Sequence, residues 1–180
     1  MSRVKVPTKI NKPFHTYTVK RIDEFLATLD KDILGIKNVA DVFINVRKAR
    51  FSVRKVNLLR EIKKLYPELV PPILALLKWN CDKNIESNLP RGEVYHLLKP
   101  YNENDPNNTT IQKEYKNFYI FIKGATKLSK VQVEAYYINL LNRLHPDERT
   151  LMCDVKDKNL YYRYKIFPEM IRQAFPELVF

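Results

Sequence analysis

The chain has 180 residues, of which 45% are hydrophobic and 29% charged, and its formal net charge at pH 7 is +12. Together with 11 Tyr and 9 Phe, this composition excludes an intrinsically disordered chain and fits one folded domain. The charge is uneven: residues 1–64 carry 16 Lys and Arg against 6 Asp and Glu, whereas residues 65–180 carry 16 against 14. Such a local positive field attracts polyanions without specifying any chemistry.

The rarer residue types exclude several kinds of site. Cys81 and Cys153 are the only cysteines and neither belongs to a C-x-x-C pair, so we expect no disulfide framework and no zinc site. Three glycines are too few for a Walker loop or a dinucleotide-binding loop. No export signal is evident, and no run approaches the ~18 apolar residues that span a bilayer. We therefore expect a soluble intracellular protein without metal or cofactor.

The first predicted feature is a basic N-terminal arm. Residues 1–20 contain basic side chains, among them Lys9 and Lys12, but no acidic one, and two prolines interrupt any helix. We expect a flexible arm there, followed by one helical domain over residues 21–180. Its first helix begins near Ile22, where apolar side chains recur at helical spacing, and ends near Asp30.

A longer helix is predicted within Ala40 to Leu65. Apolar side chains recur there at intervals of three and four residues, which places them on one stripe. They are Val42, Val46, Ala49, Val53, Val56 and Leu59. A short alternating strand around Phe51 is the competing interpretation, but the helical spacing lasts over more residues.

The same predicted helix carries a cluster of basic side chains beside its apolar stripe. This basic cluster consists of Arg47, Lys48, Arg50, Arg54 and Lys55, with no acidic residue among them. The three arginines are expected within about 60° of one another around the helix axis, and arginine suits bidentate contact with phosphate. A solvated face of a basic protein explains the cluster equally well, so both interpretations stay open.

Further helices are predicted on either side of a long loop. A helix through Ile73 to about Asn80 has Pro71 and Pro72 in its first turn, and residues 81–109 are rich in Asn and Pro, which predicts a surface loop. A helix capped by Thr109 or Thr110 then enters an aromatic run that fits strand or helix. The last three helices span about 129–144, 146–155 and 168–174. The predicted fold is mainly α, a single compact domain of about six to seven helices.

Several short motifs occur in a fixed order over about residues 79–178. They are Trp79-Asn80, Asn88-Leu89-Pro90, Tyr115, Phe118-Tyr119-Ile120-Phe121, Lys123-Gly124, Leu140-Leu141, Leu144-His145-Pro146-Asp147, Lys156-Asp157-Lys158-Asn159-Leu160 and Phe175-Pro176-Glu177-Leu178. Together they resemble a family of small proteins encoded by large contractile-tailed bacteriophages and cyanophages. The resemblance implies a phage protein made in the cytoplasm of an infected bacterium, and it brings no catalytic residue with it.

Two residue patterns invite a chemical interpretation and also have a structural one. His145 with Asp147 and Glu148 resembles an acid–base cluster, but the intervening proline favours a capped helix start, so we expect no catalytic residue. Tyr161, Tyr162 and Tyr164 alternate with basic residues, as in proteins that stack on single-stranded nucleic acid. Ordinary packing also explains these tyrosines, and the sequence leaves the choice open.

The functional hypothesis follows from the charge distribution. We expect a non-enzymatic protein that binds DNA or RNA through its basic N-terminal region, with Lys9, Lys12 and the basic cluster as phosphate contacts. The alternative is a host-takeover or anti-defence protein that binds and inhibits an acidic host protein. Neither hypothesis involves a membrane, and the oligomeric state stays open.

Overall fold

The computed structural model describes residues 35–92 and 94–180. Within them it has eight α-helices, where the sequence predicted six to seven helices. These are α1 (Val39–Lys48), α2 (Ser52–Leu65), α3 (Val70–Cys81), α4 (Ile111–Glu114), α5 (Lys130–Arg143), α6 (Pro146–Lys156), α7 (Leu160–Tyr164) and α8 (Pro168–Ala174). Short 3₁₀-helices span Pro67–Leu69, Tyr95–Leu97 and Tyr115–Phe121.

The mainly helical class is confirmed. Over the described residues there is no β-strand, only an isolated antiparallel bridge between Ser87 and Ile122. No helix in these ranges combines the length and the apolar character needed to cross a membrane. The predicted arm of residues 1–20 and the predicted helix of residues 22–30 lie outside the described residues.

The long helix predicted within residues 40–65 is two helices, α1 and α2. Asn38 begins α1 through a capping box, in which it and Asp41 each accept a hydrogen bond from the other's backbone N–H. The backbone turns extended at Ala49, with φ −65° and ψ 124°, and α1 ends there. Because α1 packs against α6 and α7 while α2 packs mainly against α8, one straight helix could not follow both surfaces. The break also leaves Val53, a member of the predicted apolar stripe, exposed.

An aromatic cluster joins α3 to the segment that follows the long loop. The Trp79 ring stacks on Phe121 with centroids 5.9 Å apart, and Phe121 meets Tyr137 of α5 edge-on at 5.3 Å. The aromatic run that fitted strand or helix is therefore a 3₁₀-helix with part of its face in the core. Tyr119 and Tyr136 are exposed, because each lies on the outward face of its helix.

The predicted loop between α3 and α4 is held against α6 by a buried lysine. The Nζ of Lys156 donates to the carbonyls of Pro90, at 2.7 Å, and Gly92, at 3.1 Å. Its third partner is the side chain of Asp157, which in turn accepts from the Gly92 N–H at 3.2 Å. Charge-assisted hydrogen bonds thus fix this part of a loop that is rich in turn-forming residues.

Three of the helix starts predicted after the loop are confirmed, whereas Thr110 precedes α4 without a side-chain capping hydrogen bond. Ser129 caps α5 through a capping box, and α8 covers the predicted residues 168–174. His145 is the N-cap of α6, where its Nδ1 accepts from the Asp147 N–H at 3.3 Å. Glu148, the third member of the suggested acid–base cluster, is fully buried and faces the core instead. The short helix α7 was not predicted.

Candidate nucleic-acid interface

Helix α7 presents its middle to solvent because both of its ends are anchored in the core. Leu160 and Tyr164, one turn apart, are buried. Side chains between two such positions lie on the opposite face of a helix. Tyr161, Tyr162 and Arg163 are accordingly exposed. A five-residue helix therefore displays two aromatic rings and a guanidinium side by side.

Two contacts join α1 and α2 to α7, and one of them involves the predicted basic cluster. Phe43 of α1 meets the Tyr164 ring edge-on, with centroids 5.6 Å apart, and the Lys55 Nζ of α2 donates to the Tyr164 carbonyl at 3.1 Å. Burial, with repulsion from Lys165 as the smaller cause, lowers the pKa of Lys55. These contacts correct two predictions: Lys55 is 5% exposed and Tyr164 is packed against α1, so neither reaches a ligand at the surface.

A shallow groove of about 660 Å³ lies where the end of α1 meets α7. It is lined by Arg47, Asp154, Asn159, Tyr162, Arg163 and Lys165. We call it the α1–α7 groove. It unites two segments that the sequence singled out separately, since Arg47 belongs to the basic cluster and Tyr162 to the tyrosine-rich segment. Three cations against one carboxylate give its lining an excess of two positive charges.

The one carboxylate of the groove is already paired. The Arg163 Nε lies 2.6 Å from the Asp154 Oδ2. Burial raises the pKa of Asp154, and the neighbouring guanidinium opposes that rise. Arg47 and Lys165, in contrast, form no ion pair with any carboxylate of the described residues. Among the described residues, two of the three positive charges of the groove therefore have no carboxylate partner.

The backbone of Lys165 is unusual for a lysine. It has φ 54° and ψ 43° at the end of α7, a left-handed conformation that costs a non-glycine residue about 1 kcal/mol or more. Lys158 shares that conformation, with φ 63°, but its Nζ caps α3 by donating to the Trp79 and Asp82 carbonyls at 2.6 and 2.8 Å. The Lys165 ammonium makes no hydrogen bond within the described residues and lies 5.8 Å from the Tyr161 ring centroid. The Lys165 cation thus has an aromatic ring beside it but no hydrogen-bond or carboxylate partner among the described residues.

The rest of the basic cluster does not line the groove. Lys48 and Arg50 are exposed beside the helix break, and Arg54 is partly buried on α2. The common face predicted for the three arginines required one unbroken helix. That prediction is wrong, because the extended backbone at Ala49 separates Arg47 from the other two.

Sequence reasoning missed two cations of the groove, Arg163 and Lys165. Both were visible as the basic residues that alternate with tyrosines, but nothing local indicated that this segment would face Arg47, more than 110 residues earlier. The other predicted contacts, Lys9 and Lys12, lie outside the described residues.

Comparison with known proteins gives a family and nothing more specific. Neither a curated protein nor a solved structure matches the chain. Residues 42–162, about two-thirds of the chain, match DUF6433, a family of unknown function. The matched span contains Arg47 and Tyr162 and ends just before Arg163 and Lys165. The chain belongs to the DUF6433 family.

Proposed function

We propose that this protein binds nucleic acid, without catalysing a reaction on it, and that the α1–α7 groove contacts the phosphate backbone. One observation carries the proposal: Arg47 and Lys165 come from the ends of two different helices and line one groove. Like charges held together in a groove repel one another, and a phosphate between them removes that repulsion. The strained backbone of Lys165 supports the same conclusion.

The expected recognition is electrostatic and weakly selective for sequence. Lysine and arginine side chains that contact phosphates fix the position of a nucleic acid but do not read its bases. The resemblance to phage-encoded proteins supports a role in the cytoplasm of an infected bacterium, where either DNA or RNA is a ligand of this chemistry.

Combined substitution of Arg47 and Lys165 by alanine should weaken binding about ten-fold near physiological salt. The assay is fluorescence anisotropy of the full chain with a labelled oligonucleotide of about 12 thymidines. Each lost phosphate contact should also reduce the slope of log K against log salt by about 0.7, as for single strands. The two substitutions together should therefore flatten the slope by about 1.4.

The matched control is the pair Lys127→Ala and Lys130→Ala. Both lysines are exposed and lie outside the groove, and their removal changes the net charge by the same amount. This control should keep nearly the whole affinity of the unmodified chain. Equal losses in the two double variants, or no binding by the unmodified chain, would contradict the proposed function.

A second candidate function has its own supporting observation. Phe51 and Val53, at the start of α2, are 64% and 71% exposed, and the Arg50 guanidinium lies 5.6 Å from the Phe51 ring centroid. Exposed aromatic side chains beside arginine are typical of protein–protein interfaces. This surface suits the alternative of a protein that inhibits an acidic host protein. A partner that stays bound after nuclease treatment and is lost with Phe51→Ala would favour this alternative.

A further inference from the structure

We infer that the α1–α7 groove takes single-stranded nucleic acid and that Tyr162 stacks on an unpaired base. This inference rests on the proposed function and specifies its ligand. It depends on the exposed aromatic rings beside Arg47 and Lys165, the two groove cations that form no ion pair among the described residues.

Three aromatic side chains form one exposed cluster at the groove. Tyr161 meets Tyr162 edge-on, with centroids 5.0 Å apart, and Tyr161 also contacts Phe167 at 4.6 Å. All three are exposed, and Tyr162 most of all, at 69%. Aromatic rings that form a contiguous exposed patch often mark a binding site. The contacts through Tyr161 hold the cluster together and leave most of the Tyr162 ring uncovered.

The exposed Tyr162 ring and the two cations share one cavity. Tyr162 lines the groove together with Arg47 and Lys165, so a ligand that fills it meets an aromatic side chain and positive charge at once. A nucleotide in a single strand offers a base and a phosphate in that combination.

The bases of duplex nucleic acid cannot stack on the Tyr162 ring. Bases within a double helix are stacked on their neighbours, so a protein ring reaches their faces only after they are unstacked. A duplex would contact Arg47 and Lys165 through its phosphates and leave the Tyr162 ring unused. The same groove therefore favours a single strand over a duplex of equal length.

The test compares three ligands of equal length by fluorescence anisotropy of the full chain. They are a strand of about 12 thymidines, the corresponding duplex, and an abasic strand that keeps the phosphates but lacks the bases. The thymidine strand should bind about ten-fold more tightly than either of the others. Tyr162→Ala should remove most of that difference and leave the affinities for duplex and abasic strand unchanged, whereas Tyr162→Phe should preserve it.

Tyr136→Ala is the matched control, because Tyr136 is a tyrosine of α5 that is 56% exposed and lies outside this groove. It should leave all three affinities unchanged. Equal affinity for the three ligands, still reduced by the Arg47 and Lys165 substitutions, would overturn the single-strand inference and keep the proposed function. Absence of binding to any of the three would overturn both. A loss with Tyr136→Ala equal to that with Tyr162→Ala would also overturn the inference.

Discussion

Replacement of Arg149 by alanine is expected to lower the free energy of unfolding by about 3 to 5 kcal/mol. The guanidinium is buried and donates to three carbonyls: Nε to Leu144 at 2.8 Å, Nη1 to Lys99 at 2.9 Å and Nη2 to Asn142 at 2.9 Å. The Cζ atom of the guanidinium lies 5.4 Å from the Tyr101 ring centroid. Alanine would leave the carbonyls at the end of α5 and in the long loop without their guanidinium donor.

Two further variants separate this hydrogen-bonding role from a general effect of charge. Arg149→Lys should recover only part of the loss, because a single ammonium cannot reach three carbonyls in the fork geometry of a guanidinium. Arg172→Ala removes an exposed arginine whose ion pair with Glu169 is 3.8 Å long, and it should cost less than about 0.5 kcal/mol. Urea denaturation followed by circular dichroism measures all three. A loss below about 1 kcal/mol for Arg149→Ala would contradict this role.

The second large effect is a pH dependence that originates at Glu148. This carboxylate of α6 is fully buried, and its oxygens accept from the Ile111 N–H at 3.3 Å. Burial raises the pKa of Glu148 to about 7, while hydrogen bonds from the Ile111 and Val39 N–H groups oppose the rise and the Asp41 charge adds to it. The folded protein therefore holds this proton at pH values where the unfolded chain has released it.

The sign of the effect follows from two pKa values of Glu148: the ordinary value of 4.5 in the unfolded chain and the value of about 7 in the folded protein. The contribution of Glu148 to stability is fully present below about pH 4.5 and is lost as the pH rises to about 7, because the buried group must then ionise. The full effect is about 3 kcal/mol. Glu148→Gln should abolish it, since an amide oxygen can still accept from the backbone and does not titrate.

The measurement is the difference in unfolding free energy between the unmodified chain and Glu148→Gln across this pH range. Carboxylates whose pKa is lowered, such as Glu86 beside Lys123 and Glu177 beside Lys63, titrate in both proteins and cancel in the difference. The variant should gain stability relative to the unmodified chain as the pH rises from about 5 to 8. A difference that does not change with pH would show that Glu148 is not a buried ionisable group.

Local sequence signals were sufficient for several elements of the fold. Pro71 and Pro72 in a first turn, the Ser129 cap and the proline start of α8 each depend on backbone groups within one turn. Such signals do not depend on tertiary contacts with the rest of the chain, so these helix starts could be predicted. The break at Ala49 could not, because it depends on how α1 and α2 pack against different partners.

For the candidate site too, local residue patterns could be recognised from the sequence and tertiary contacts could not. The tyrosine-rich segment and Arg47 were each recognised as able to contact nucleic acid, from their residue types alone. Which of these side chains face solvent depends on tertiary contacts, and two of them, Lys55 and Tyr164, contact each other in the interior instead. Lys165 gained its position from a left-handed backbone that sequence patterns assign to glycine.

The most direct test of the central claim is to map where nucleic acid touches the folded chain. Isotope-labelled full-length protein titrated with a thymidine oligonucleotide should show its largest backbone amide shift changes by NMR at Arg47, Tyr162, Arg163 and Lys165. The outer face of α5 around Tyr136 should stay unchanged. Shift changes centred on that face, or spread evenly over the basic surface, would contradict the claim that the α1–α7 groove is the binding site.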